Sequence, residues 1–245
     1  MSKKVALIIG GNGGIGCSAT RQLAKDGFQV CATYNKNKVK LEKLQDEFGL
    51  TIDTYPCDIS DENAVNKVVE SIVVDYSNID VVVFSVVSSF KNTKLLEAIW
   101  QQYQEHIELQ IKAMINTIKA MRGQVRAKHK TSFIVLLTDA CIGSPPKGFS
   151  PYVTAKYAAM GLAKTMAVEL VQFDCRVNMI SPGMVETDLL KDLPPKLIEM
   201  SALQNPLKRN ATPEDVSNAI SFLASEKSEY MNGANIVVNG GNIIL

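Results

Sequence analysis

Seven short runs of apolar, mostly β-branched residues, separated by segments of helical patterning, leave this chain few folds to choose from. The runs cover 5–9, 29–34, 52–55, 81–84, 133–137, 176–180 and 235–238, and most lack strict alternation of apolar and polar residues. Strands covered by helices on both faces have that character, because neither face meets water. Helical patterns fall near 15–26, 38–48, 61–76, 96–123, 151–173 and 213–225. The last has a clear start: Thr212 supplies a capping hydroxyl, Pro213 takes the first helical position, and Glu214 and Asp215 put negative charge in the first turn. Strand and helix in alternation predict an α/β chain with a doubly wound, seven-stranded parallel sheet and helices on both faces. No linker, low-complexity tract or internal repeat interrupts residues 1–245, which are therefore expected to form a single domain.

Composition removes several classes of function. With 46% hydrophobic and 21% charged residues, the chain has the content of a folded globular protein. Its net charge of +1 argues against broad electrostatic binding to nucleic acid or to anionic membrane. The five cysteines form no CxxC pair, so neither a disulfide framework nor a zinc site is expected, and no metal ligands are assigned. The N-terminal apolar run stops at glycines and no stretch is long enough to span a bilayer, which predicts a soluble, cytoplasmic protein.

The first strand runs into Gly10-Gly11-Asn12-Gly13-Gly14-Ile15-Gly16, and a helical pattern follows at once. Glycine lets the backbone turn tightly and approach a pyrophosphate, while the helix N-terminus offers unpaired N–H groups and partial positive charge. An acid that would accept from the ribose hydroxyls of NAD is expected about 20 residues beyond such a loop. Here Tyr34 ends the second strand, Asn35 and Lys36 follow it, with Lys38 beyond, and no carboxylate appears until Glu42. Lys36 or Lys38 could pair with a 2′-phosphate, so NADP(H) is favoured over NAD(H). Farther along, Tyr152 and Lys156 stand four apart at the start of a helical stretch, on one face. A phenol with a pKa of about 10 is a poor acid at neutral pH, and a neighbouring ammonium is expected to lower that value.

Together these motifs resemble the short-chain dehydrogenase/reductase family: Gly10, Gly14 and Gly16 are spaced GxxxGxG, Tyr152 and Lys156 form YxxxK in a small-residue helix over 152–170, and Pro182-Gly183 follows the sixth strand. The stretch 206–241, with Phe222-Leu223-Ala224-Ser225 and Gly240-Gly241, is closest in pattern to the 3-oxoacyl-carrier-protein reductases of that family. The resemblance implies a Rossmann-like fold and a ketoreductase that uses Tyr152 as acid and Lys156 as its partner. It places Asn12, Gly13 and Ile15 in the cofactor loop and Asp58, followed by Ile59, at the adenine. Ser85 lies near the nicotinamide ribose, and Pro182, Gly183, Val185 and Thr187 at the nicotinamide carboxamide. It makes the apolar segment 184–212 a mobile substrate lid, suited to an acyl substrate. The basic cluster Arg122, Arg126, Lys128 and Lys130 becomes a docking site for an acidic carrier protein. Assembly as a homotetramer or homodimer is also implied.

Three positions depart from the family pattern. Thirteen residues before Tyr152, where the family has a catalytic serine, stands Asp139, with Thr138 beside it. Either Thr138 takes over the serine's role, or Asp139 does so in protonated form, since an ionised carboxylate accepts but cannot donate. Gln110 occupies the place of an Asn that holds a water in the proton relay to the lysine, while His106, one turn earlier, is expected on the helix surface. Asn116 should lie on a different face. The NNAG signature after the fourth strand is replaced by Phe84-Ser85-Val86-Val87. Two hypotheses follow: an NADP-dependent reductase of a 3-oxoacyl thioester or polyketide-like carbonyl, or a catalytically impaired dinucleotide-binding subunit in a hetero-oligomer with an active family member.

Overall fold

The structure, a computed structural model, describes residues 3–48, 52–89 and 92–244. Its strands are β1 (Val5–Ile9), β2 (Gln29–Tyr34), β3 (Ile52–Pro56), β4 (Val81–Phe84), β5 (Ser132–Leu136), β6 (Arg176–Pro182) and β7 (Asn235–Val238). They form one sheet in the order β3-β2-β1-β4-β5-β6-β7. Every neighbouring pair is parallel, and Leu7 sits between Cys31 and Val82 in register. The helices are α1 (Gly14–Lys25), α2 (Val39–Phe48), α3 (Glu62–Tyr76), α4 (Trp100–Ile107), α5 (Ala113–Ala120), α6 (Arg122–Arg126), α7 (Ser150–Leu170), α8 (Pro195–Gln204) and α9 (Pro213–Ala224).

The doubly wound arrangement explains the unbroken apolar runs. Along β1, Val5, Leu7 and Ile9 join one core with α3, α5 and α7, through residues such as Val69, Met114 and Ala163. Ala6 and Ile8 join a second core on the other face with α1, α2 and α9, through Leu23, Leu41 and Ile220. Alternate side chains thus enter different cores, so both must be apolar. The strand order reverses between β1 and β4, and a crevice opens there beyond the carboxyl ends of the strands.

One helical stretch differs from expectation. The helical pattern over 96–123 is not one helix: α4 ends at Ile107, a π-helical turn covers Glu108–Lys112, and α5 and α6 follow. A π turn widens the helix by one residue and rotates everything after it, a change that apolar periodicity does not reveal. The apolar stretch after β6 contains a 3-10 turn at Asp188–Asp192 and α8, and is anchored at its base by a bridge between Val185 and Ala211.

Candidate active site and dinucleotide groove

The chain leaves β1 through Gly10, whose φ of +89° lies in the left-handed region. A Cβ there would meet the carbonyl oxygen of Ser85 at 2.8 Å, and one on Gly16 would collide with the carbonyl of Gly10. The loop therefore packs backbone against backbone, and α1 begins immediately beneath it. The N–H groups of Gly14, Ile15 and Gly16 lie ahead of the intrahelical ladder and are positioned to receive a diphosphate. Asn12 fastens this loop to the start of α2, accepting from the N–H of Lys40 at 3.0 Å and donating to Asn37. Gly10, Asn12, Gly13, Tyr34, Asn35, Lys36, Ile59 and Ser85 line a groove. It continues past Gly14, Ile15, Lys40, Lys43 and Thr187. This cradle fits a dinucleotide.

The cations at its rim are partly those expected. Lys36 lines the groove, whereas Lys38 turns along α2 and pairs with Glu42 at 3.1 Å. Lys40 and Lys43 also line it, although attention to the first residues after β2 passes them over. Lys40 pairs with Asp188, which Lys191 contacts at 2.5 Å, and these lysines hold the Asp188 carboxyl down at about 2. Asp58 is exposed, and its carboxylate accepts from the N–H (3.0 Å) and hydroxyl (2.7 Å) of Ser60, which keeps its pKa low. Cys57 and Ile59, on either side, are the members of that segment that line the groove.

At the carboxyl end of β5, Thr138 and Asp139 separate. Thr138 caps the 3-10 turn Asp139–Cys141, and its hydroxyl is hydrogen-bonded to the phenol of Tyr152. Asp139 points elsewhere: it accepts from Asn242 Nδ2 at 3.3 Å, has Asn239 as a second partner, and lies against Gly183. With three residues per turn, adjacent side chains of a 3-10 helix diverge by roughly 120°. The hydroxyl beside the phenol is therefore that of Thr138. Burial pushes the Asp139 carboxyl up, and its hydrogen bonds to Asn242, Asn239 and Ala140 oppose that.

Lys156 is buried, with Nζ donating to the Leu136 carbonyl at 2.8 Å and lying 5.9 Å from the centre of the Tyr152 ring. Burial lowers its ammonium to about 8. The Tyr152 phenol is not lowered as expected: burial pushes it up to about 12, and the Thr138 hydrogen bond only partly offsets this. Burial is the largest influence on the phenol, ahead of the Thr138 hydrogen bond, so desolvation dominates.

Gln110 sits in the π turn, buried, and neither polar atom of its amide makes a hydrogen bond. His106 is not on the helix surface. It is buried, with its ring edge-on to Tyr152 at 6.1 Å between centroids, because α4 packs its length against α7. Asn116 points away, donating to the Ile59 carbonyl at 3.2 Å. Beside Tyr152, Ala140, Phe149, Val153 and Leu193 form a small apolar cluster with Met184, Leu189, Leu190 and Ile198. Pro182 ends β6, Gly183 bonds to the Val238 carbonyl, and buried Val185 leads to Thr187 on the groove. The basic cluster is not near this site. Lys128 and Lys130 precede β5, at the amino ends of the strands, and Lys130 pairs with Glu229 at 3.2 Å. Among the described residues, no helix is long and apolar enough to cross a membrane.

A family model described as enoyl-(acyl carrier protein) reductase matches residues 10–242. The sorbose reductase of Candida albicans is 30% identical over 97% of this chain and 86% of its own length. The 3-oxoacyl-[acyl-carrier-protein] reductase of Staphylococcus epidermidis is also 30% identical, over 97% of this chain and 98% of that protein. Among solved structures, ElxO with NADP bound aligns with a TM-score of 0.88 at 25% identity, covering 98% of both chains. The 3-ketoacyl-(acyl-carrier-protein) reductase from Brucella melitensis complexed with NADH has the same fold, with a TM-score of 0.89 at 22% identity and 99% coverage of both chains.

Proposed function

The chain belongs to the short-chain dehydrogenase/reductase family, an oxidoreductase using a nicotinamide dinucleotide, and on that premise we propose that it is an NADP-dependent ketoreductase. Its substrate is a 3-oxoacyl thioester or a polyketide-like carbonyl, which becomes a secondary alcohol. The observation that carries this reading is the convergence of the Thr138 hydroxyl, the Tyr152 phenol and the Lys156 ammonium at the end of β5.

When bound, the nicotinamide supplies a hydride to the carbonyl carbon. Thr138 orients the carbonyl oxygen, Tyr152 gives it a proton, and Lys156 stabilises the phenolate that remains. Asp139, held by Asn239 and Asn242 against Gly183, shapes the floor of the site and takes no part in proton transfer. Gln110 takes the place of the relay asparagine. Lys36, with Lys40 and Lys43 on the same groove, receives the 2′-phosphate, which supports NADP(H) over NAD(H). The apolar cluster around Leu193 and Ile198 suits an acyl chain better than a free sugar. A carrier-bound acyl group would approach from that side. We further propose a homotetramer or homodimer as the working assembly.

The test is NADPH oxidation over a panel of 3-oxoacyl thioesters and simple ketones, by the wild type and Tyr152→Phe. Losing a general acid should lower kcat by about 10²- to 10⁴-fold while NADPH fluorescence still reports binding. NADPH binding by the wild type without turnover of any member would reject this substrate class. Full activity in Tyr152→Phe would reject the role of Tyr152.

A further inference from the structure

The best-placed unassigned group in the molecule is His106. It and Gln110 stand four residues apart where α4 opens into the π turn, and they are only 5% and 3% exposed. His106 Nδ1 and both amide atoms of Gln110 make no hydrogen bond to protein. A buried imidazole used purely for packing is normally hydrogen-bonded, and an aromatic hydrocarbon would fill the same space without the desolvation. Three orphaned polar atoms on two buried residues one helical turn apart make a lining of the kind that holds ordered water in a protein interior. π turns, too, occur often at functional sites.

The groups that act on the imidazole come from two elements, α7 and its own helix. From α7, the Tyr152 ring meets it edge-on at 6.1 Å and Lys156 acts on it by charge. Glu105 on its own helix acts in the opposite sense. Cys141 and Asp139, in the turn after β5, act on Tyr152 rather than on His106. Burial and then Lys156 hold His106 below its usual value, so the ring is neutral at pH 7 and can both donate and accept.

We propose that His106 is a proton-relay residue, which with a water held by Gln110 returns protons to Lys156 from the α4 side of the site. This rests on the ketoreductase reading. In each reduction the hydride supplies the electron pair, Tyr152 loses its proton to the substrate oxygen, and the Lys156 ammonium makes good that loss. The water at Gln110 then reprotonates Lys156, and neutral His106 reprotonates the water from Nδ1 while taking a proton at its other nitrogen. One solvent proton is consumed per turnover and the imidazole is regenerated as its other tautomer.

His106→Phe keeps the ring and removes the nitrogens. We expect kcat to fall about tenfold with KM and NADPH affinity within about twofold, the solvent deuterium isotope effect to rise, and the pH–rate profile to shift. Added imidazole should restore part of the rate of His106→Ala, and His106→Gln should not behave as wild type. A His106→Phe enzyme with wild-type rate, isotope effect and pH profile overturns the proposal. So does a loss of rate with no change in isotope effect and no imidazole rescue, which marks a packing role. Nitrogen NMR of His106 needs no turnover, and so separates this proposal from the ketoreductase reading should the substrate panel be inactive or the His106 variants fail to fold. Its titration should move to higher pH in Lys156→Met, and an unmoved titration also overturns the proposal.

Discussion

Thr138 and Asp139 are adjacent in the chain, yet the turn after β5 sends the hydroxyl of one to Tyr152 and the carboxyl of the other to Asn242. Thr138→Val should therefore lower kcat about 10²-fold, as the loss of one preorganised donor does, while Asp139→Asn stays within a few-fold of wild type. Steady-state kinetics of the two variants decides between them, and the reverse order would restore Asp139 as the family serine's substitute. Lys156 makes a second prediction. Its folded value of about 8 lies below the ordinary 10.5, so the buried charge opposes folding most strongly below pH 8, and the penalty fades as pH rises towards 10.5. Lys156→Met should accordingly raise stability at pH 7 by roughly 1 to 3 kcal/mol in urea unfolding while abolishing turnover. In the wild type, reduction should slow as pH rises through about 8 and the ammonium is lost. The Tyr152–Lys156 pair was legible because helical spacing alone puts both on one face. His106 was not, since its burial depends on α4 lying against α7, more than forty positions away in the chain.

Helix starts show which local signals carry through to structure. At α9 the Thr212 hydroxyl accepts from the N–H of Asp215, whose carboxylate accepts from the N–H of Thr212 at 2.7 Å, so the capping residues visible in the chain form a complete box. Arg209 adds a two-pronged contact to Asp215 and, with the Thr212 N–H, draws its carboxyl down to about 2. Asp215→Ala should cost about 1 kcal/mol in urea unfolding at pH 7, mostly through the cap, because the Arg209 side chain is half exposed and screened. The folded value lies below the ordinary 3.8, so the contribution is complete above that pH and disappears as pH falls to about 2. Equal stabilities of wild type and Asp215→Ala at pH 7 would show that the cap adds nothing. The α4 to α5 break shows the opposite case. Its residues have ordinary helical character, and the π turn forms where Gln110 is drawn inwards beside α7. Packing against a partner helix selects that irregularity, and local propensity does not encode it.

For the molecule as a whole, binding and stability are linked through the groove at the switch between β1 and β4. NADPH at 100 times its Kd should add about 2.7 kcal/mol and raise Tm by about 5 to 10 °C, readable by differential scanning fluorimetry. NADH at the same concentration should raise it less, and Lys36→Ala should narrow the gap; equal shifts with both cofactors would remove the NADP preference. The seven strands, the glycine loop, the YxxxK pair and the α9 cap are properties of the sequence by itself, because each follows from periodicity, backbone freedom or contacts within a turn or two. The tertiary structure alone decided that Thr138 and not Asp139 meets the phenol, that Lys40 and not Lys38 lines the groove, that His106 is buried, and that the basic cluster lies at the far end of the sheet. Each of these depends on where a side chain leaving a turn or helix meets residues distant in the chain, as Asp139 meets Asn242 across 103 positions, and such meetings are set by packing of the whole fold.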